Sequence, residues 1–334
     1  MIFNSYASLS KNEKLTPYTF ESEEPGPMDC RIKVTTCGIC HSDLHMIENN
    51  WRISKYPLVP GHEVVGRIVE VGKMVHHLKV GDRVGVGWQS EACMECPDCL
   101  RGDENLCSEN KATIVGRHGG FADHIQVDSR FAFKIPDAID SIHASPLLCA
   151  GITVYSALVS AGMGSGGRVG VIGVGGLGHL AIQFASKLGN RVTAFTTSPD
   201  KAEFAVNLGA HDVVLNPTSK DQLREKCNII LNTTHNDLDW SYFLNQLDSD
   251  GTLSFVGVPA SPLKIHVGQL LAKRKKITAS PIGGRFIMNE MLRISAEHEI
   301  FPVVEEFSKD EINLAIEKVK NNSIRYRAVV DFRK

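Results

Sequence analysis

A strand-like run, Val169-Gly-Val-Ile172, passes directly into Gly173-Val-Gly175-Gly176-Leu177-Gly178 and then into a helix-like stretch at 179–188. No other segment restricts the fold as much. Glycine-rich turns are common, but one set between a strand and a helix is the phosphate turn of a βαβ unit. Gly173 permits the tight turn, Gly175 lets a pyrophosphate approach the backbone, and Gly178 allows close helix–strand packing, with Gly176 and Leu177 completing the loop. The helix start then offers unpaired N–H groups and a positive dipole end to phosphates. Around this turn, apolar strands (168–174, 191–197, 212–215, 228–232, 252–258, 276–282) alternate with helical stretches (177–188, 201–208). That is the pattern of an α/β, doubly wound parallel sheet buried on both faces.

A length of 334 residues corresponds to about two domains. Up to about residue 145 the chain is β-rich, with short runs (31–36, 63–71, 83–86, 122–127) broken by Gly, Pro and Asp. The last fifty residues hold helical stretches at 289–298 and 309–319 and a final strand at 327–332. Thirty-six Lys+Arg against 38 Asp+Glu leave no electrostatic ground for nucleic acid or an anionic membrane as partner. The opening residues lack the build of a signal peptide, and no apolar run approaches the roughly 18 residues of a membrane helix. The expectation is a soluble, cytoplasmic protein.

Nine cysteines in so large a chain, without a signal peptide, point to metal or catalysis rather than disulfides. Cys93, Cys96, Cys99 and Cys107 place four thiolates at close spacing, which satisfies tetrahedral zinc and leaves no open position. Such a site is structural and pins a loop that has few apolar residues of its own. The segment 91–109 has no basic cluster, so a nucleic-acid zinc finger is a poor reading. A second set is dispersed: Cys40-His41-Ser42-Asp43-Leu44-His45, Gly61-His62-Glu63, and Leu148-Cys149-Ala150-Gly151. Two Cys, one His and an open position suit catalytic zinc, but spacing alone does not assemble them, and each residue in isolation reads as packing.

About twenty residues beyond Gly178, where NAD-preferring sites carry Asp or Glu, stands Thr197, followed by Ser198, Pro199 and Lys201. No carboxylate there repels a 2′-phosphate. Thr197 and Ser198 offer hydroxyls and Lys201 a charge, which favours NADP; the plainer alternative is a turn followed by a solvated helix.

The motifs Cys-Gly-Ile-Cys-His-Ser-Asp (37–43), Gly-His-Glu (61–63), the four-cysteine loop, Leu-Cys-Ala-Gly-Ile-Thr (148–153) and the glycine turn occur in that order. The series resembles the zinc-dependent medium-chain alcohol dehydrogenases, most closely the cinnamyl-alcohol-dehydrogenase-like branch that reduces aldehydes with NADPH. The resemblance implies a GroES-like β-barrel catalytic domain over residues 1–149, completed by about 288–334, and a Rossmann NADP-binding domain at 150–287. It implies two zinc ions, the catalytic one held by Cys40, His62 and Cys149 with Glu63 as alternating ligand. It makes Asp43 the partner that orients His62, a role metal-bound histidines require. A homodimer is a further implication, with 276–282 as the edge. The stretch 108–118, which normally helps wall the substrate cleft, is short here, and 1–24 carries little of the family's pattern.

Zinc is then the Lewis acid and nicotinamide the hydride carrier. Ser42 and His45 are candidates for passing the proton, though Ser42 can equally cap a helix and His45 can lie on the surface. Thr153 is expected near the nicotinamide. Trp51, Ile53 and Trp88 are candidates for an apolar substrate pocket, with core packing the equal alternative. The leading expectation is an NADPH-dependent aldehyde reductase, reversible as a primary-alcohol dehydrogenase. Against it stand a zinc protein that senses NADPH without turnover and a zinc-free quinone or enone reductase, which the metal ligands disfavour.

Overall fold

The computed structural model describes residues 1–218 and 222–334. The chain divides into two compact units, Met1–Cys149 with Gly284–Glu297 and Phe301–Lys334, and Ala150–Gly283 with His298–Ile300.

In the first unit the central strand, Asp29–Ile39, pairs antiparallel with Glu63–Val71, with Arg327–Asp331 and with His124–Asp128. The sheet continues outward to Val304–Ser308 on one side and to Arg83–Val86 and Phe133–Lys134 on the other. Ile32, Val34, Ile39, Val64, Ile68, Val84, Val86, Ile125, Val127 and Val330 fill its core; such β-branched side chains suit a pleated, buried surface. The opening residues form a hairpin, Ile2–Ala7 with Thr16–Glu21, held to the rest by the Tyr6 N–H donating to the Phe121 carbonyl at 2.8 Å. One register feature positions the site. Gly38 lies opposite Glu63 on one neighbour and opposite Val329 on the other.

The second unit is a six-stranded sheet, parallel throughout. Across it run Asp212–Leu215, Arg191–Thr196, Arg168–Ile172, Cys227–Asn232, Leu247–Phe255 and Lys276–Ala279. Counted along the chain the order is 3-2-1-4-5-6, the arrangement of dinucleotide-binding sheets, whose ligands sit at the carboxyl ends where the order reverses. The reversal falls between Arg168–Ile172 and Cys227–Asn232, and the glycine turn follows the first of these.

Several boundaries differ from expectation for physical reasons. The 252–258 strand starts at Leu247 and stops at Phe255, before Gly257, and the 276–282 strand stops at Ala279, ahead of Pro281. The helix expected over 289–298 begins at Arg285. Its first N–H is accepted at 2.8 Å by Glu104, a cap from the four-cysteine loop that sequence proximity hides. The expected absence of a membrane-length apolar stretch also needs correcting. Ser141–Ser160 is long and apolar enough by length and composition, but 78% of an apolar 18-residue window within it is buried inside the protein, as a core helix should be. It is also not one regular helix: a π-turn, Leu147–Gly151, separates Ser141–Pro146 from Ile152–Ser160.

Candidate active site

Both cysteine sets converge in the first unit. The sulfurs of Cys93, Cys96, Cys99 and Cys107 lie within 4.8 Å of one another. Cys96 caps the short helix Pro97–Arg101, and Pro97 suits the first helical position because the N–H it lacks would be unpaired there. Backbone N–H groups of Glu95 and Cys96 donate to Cys93 Sγ at 3.5 and 3.4 Å and lower its thiol to about 7. Burial pushes Cys99 the other way, to about 12. The loop thus turns its own N–H groups toward sulfur, as a closed thiolate site needs.

The dispersed set is assembled by three elements. Cys40 directly follows the central strand and caps the helix His41–Ile47; His62 directly precedes, and Glu63 opens, the strand Glu63–Val71; Cys149 sits in the π-turn, a local widening that recurs at functional positions. Thr36 Oγ1 donates to the Ser141 carbonyl at 2.9 Å, tying the central strand to the helix that leads to Cys149. One ligand atom from each of Cys40, His62, Glu63 and Cys149 falls within 4.8 Å of the others.

Asp43, fully buried, holds this arrangement. Its Oδ1 accepts from His62 Nδ1 at 3.0 Å and from the Gly61 N–H at 2.8 Å, and its Oδ2 from the Cys40 N–H at 2.9 Å. A carboxylate on Nδ1 assigns the proton there and leaves a lone pair on Nε2. That Nε2 is buried without a protein partner among the described residues, and so is Glu63 Oε2. Cys40 and Cys149 sulfurs stand 3.9 Å apart beside them. An imidazole lone pair, a carboxylate oxygen and two thiols facing one point fit a zinc ion.

Apart from Cys40, these buried groups are pushed toward their protonated forms, and a metal ion would displace those protons on binding. Burial disfavours a charged His62, but Asp43 outweighs it and holds the imidazole well above its ordinary range. The hydrogen bond from Cys149 and then His62 and Arg327 hold Cys40 well below its ordinary range, while Cys149 is driven up. Burial raises Glu63 to about 7 against the pull of Arg327. Arg327, almost fully buried, pairs with Glu63 Oε1, and sequence reasoning missed it. Its only signal is a lone arginine heading an apolar strand, Arg-Ala-Val-Val. Gly38 was missed too. A β-carbon there would stand 2.0 Å from Glu63 Oε2, so the carboxylate crosses the central strand toward Arg327 only because Gly38 lacks one.

Ser42 Oγ is 3.8 Å from Cys40 Sγ. His45, in the last helical turn, meets Asn50 Nδ2 through its Nδ1 at 3.2 Å. Trp88 stands edge-on to His62 at 5.0 Å, Trp51 is edge-on to Trp88 at 5.8 Å, and the His45 ring is 5.1 Å from Trp51. Trp88 is half-buried, whereas Trp51 and Ile53 are exposed.

In the second unit Gly173 adopts φ +86°, and a β-carbon on Gly178 would stand 1.9 Å from the Gly173 carbonyl oxygen. Both glycines are therefore required, whereas none of the described residues lies within 4 Å of where Gly175 would carry a side chain. That space is what an approaching pyrophosphate needs. Thr233, also missed, donates from Oγ1 to the Ile172 and Gly173 carbonyls at 2.9 and 3.2 Å, bracing the turn. Its signal was a polar Asn-Thr-Thr at the carboxyl end of an apolar strand. Thr197 is exposed just past Arg191–Thr196. Ser198 caps the helix Pro199–Asn207 by accepting from the Lys201 N–H at 3.5 Å, which leaves its hydroxyl proton free to donate outward. Thr153 lies half-buried in Ile152–Ser160.

Residues 26–137 match the alcohol dehydrogenase GroES-like domain, and residues 176–297 match the zinc-binding dehydrogenase family. The chain is 42% identical to aldehyde reductase AdhA of Synechocystis sp., with 100% of both chains covered. It is 40% identical to NADP-dependent alcohol dehydrogenase C 1 of Mycolicibacterium smegmatis, over 98% of this chain and 97% of that one. Among solved structures, the cinnamyl alcohol dehydrogenase SbCAD4 of Sorghum bicolor aligns with a TM-score of 0.91 and 34% identity, covering 99% of this chain and 98% of that one. With such identity running from end to end, the chain belongs to the zinc-dependent medium-chain alcohol dehydrogenase family.

Proposed function

We propose that this chain interconverts aldehydes and primary alcohols with NADP(H), acting mainly as a reductase of aromatic or medium-chain aldehydes. In this reading Cys40, His62 and Cys149 hold the catalytic zinc with Glu63 as alternating ligand, and Cys93, Cys96, Cys99 and Cys107 hold a structural one. The observation that carries it is that His62 Nε2, with Nδ1 held by Asp43, and Glu63 Oε2 are both buried without partners among the described residues, beside two thiols. When bound, zinc supplies Lewis acidity toward the substrate oxygen and NADPH supplies the hydride.

The chain's own residues do the rest. Asp43 fixes the imidazole tautomer, and Arg327 neutralises and holds Glu63. With Asn50 Nδ2 donating to His45 Nδ1, the neutral imidazole carries its proton on Nε2, from which it can be passed to Ser42 and on to the product oxygen. Trp88 and Trp51 offer apolar faces to an aromatic substrate. Thr153 lies near the nicotinamide, the glycines 173, 175, 176 and 178 with Leu177 receive the pyrophosphate, and Thr197, Ser198 and Lys201 receive the 2′-phosphate. The first unit is the GroES-like catalytic domain and the second the Rossmann domain. The enzyme works in the cytoplasm as a homodimer joined along Lys276–Ala279.

The test is cofactor choice. Charge-assisted hydrogen bonds to a phosphate contribute roughly 1.5–3 kcal/mol, about ten- to a hundredfold in affinity. Wild type should show higher kcat/KM with NADPH than with NADH for one aromatic aldehyde. Thr197→Asp should reverse that preference, and Lys201→Ala should weaken NADPH use alone. An unmoved ratio in Thr197→Asp would refute the assignment. A zinc protein that only senses NADPH would bind the nucleotide and consume none with any aldehyde.

A further inference from the structure

Glu104 lies inside the four-cysteine loop, between Cys99 and Cys107, and is 2% exposed. Its carboxylate points out of the loop. Oε2 accepts the Arg285 backbone N–H at 2.8 Å and Oε1 pairs with the Arg285 guanidinium at 3.2 Å. Arg285 Nε donates to the Arg130 carbonyl at 2.9 Å, and its guanidinium lies over Phe131, which packs with Cys99 and Cys107. A β-carbon on Gly284 would stand 1.8 Å from the Gly102 carbonyl oxygen, so loop and helix start are in direct contact. The loop thus caps the helix Arg285–Glu297 at its first residue.

One turn further along, Met288 of that helix reaches Gly87, against which the Leu148 backbone also lies. A β-carbon on Gly87 would stand 2.5 Å from the Leu148 carbonyl oxygen and 3.3 Å from Met288 Cε. Gly87 precedes Trp88, and Leu148 precedes Cys149. The same stretch is tied back to the loop by Gln89 Nε2, which donates to the Glu104 carbonyl at 2.8 Å. All of these residues belong to the first unit.

We propose that the four-cysteine loop positions the active site through Glu104: by capping the helix at Arg285 it sets Met288 against Gly87, which packs on the Leu148 backbone, and so fixes Trp88 and Cys149. Glu104, Arg285 and Met288 are positioning residues. This rests on Cys40, His62 and Cys149 holding zinc. A loop that only added stability would leave the behaviour of that zinc alone.

The experiment is release of zinc from the full-length protein to a coloured chelator, with the phase missing in Cys40→Ala identifying the metal at Cys40, His62 and Cys149. Glu104→Ala should keep both zinc ions yet release that one about tenfold faster, the lower end of what losing an outer partner costs a metal site. Glu104→Gln, which retains an acceptor oxygen for the Arg285 N–H, should restore most of the wild-type rate. Met288→Ala leaves the loop intact and should accelerate the same phase without touching the other. It decides the matter if Glu104→Ala fails to fold. Wild-type release of that phase in Met288→Ala, or in a folded Glu104→Ala, overturns the proposal. A wild-type chain with one zinc, unaffected by Cys40→Ala, overturns the reading of the catalytic ligands and this proposal with it.

Discussion

The two cysteine sites lie in the same unit and are built in opposite ways. The four-cysteine loop draws all its sulfurs from 93–107, and the N–H groups that face them come from the same loop. The other site gathers Cys40, His62, Glu63 and Cys149 from three elements and surrounds them with the buried charges Asp43 and Arg327. A loop organised by itself needs a metal to hold its shape. A site organised by the sheet around it keeps its shape and can use the metal for chemistry.

Breaking the dispersed site tests this division most strongly. His62→Ala removes the imidazole but leaves the sheet and the helix His41–Ile47 in place. Loss of Lewis-acid stabilisation of several kcal/mol should lower kcat/KM about a thousandfold or more. NADPH binding, measured by fluorescence titration, should stay within about twofold of wild type, since the glycine turn belongs to the other unit. A variant that keeps appreciable turnover would show that this site is not where the chemistry occurs.

Cys99→Ser should do the reverse. Loss of a structural metal belongs among the larger mutational costs, about 3–4 kcal/mol. For a unit of this size that shifts Tm down by about 6–16 °C in calorimetry. The protein that remains folded should retain activity within the roughly tenfold range through which the loop acts on its neighbour. Unchanged Tm with abolished turnover would contradict the assignment of roles.

The contrast also explains what the sequence made legible. Cys93, Cys96, Cys99 and Cys107 and the glycine turn are local, and their spacing is their geometry, so they read directly. Cys40, His62 and Cys149 could be linked only through the family resemblance, because their meeting depends on strand register and on a π-turn. Arg327 and Glu104 were invisible for the same reason. Each satisfies a partner more than 150 residues away, and nothing in a lone arginine or glutamate declares such a partner. The two tryptophans were legible as aromatic residues, but not Trp88 as a neighbour of His62 nor Trp51 as a neighbour of Trp88 and His45, and Ile53 is exposed. Strand ends shifted where caps and turns, rather than apolar pattern, decide them.

Asp43→Asn gives the smallest effect and the sharpest test of how the dispersed site is wired. The carboxylate accepts three hydrogen bonds, from His62 Nδ1 and from the N–H groups of Gly61 and Cys40. An amide has the same shape but only one acceptor oxygen, and its other end donates. If the oxygen faces Gly61 and His62, the NH₂ opposes the Cys40 N–H and pushes Cys40 from its place as helix cap. If the amide is turned, the NH₂ opposes His62 Nδ1, which must then give up its proton and carry it on Nε2. That puts N–H, not a lone pair, toward the thiols. Either way a ligand to the metal is misdirected while every ligand is still present. Zinc affinity at this site should fall about ten- to a hundredfold, with kcat/KM recovering as zinc is added in excess, unlike His62→Ala. The four-cysteine zinc and NADPH affinity should not change. Wild-type zinc affinity in Asp43→Asn would mean that the sheet alone aims His62, and that the buried carboxylate serves the fold rather than the metal.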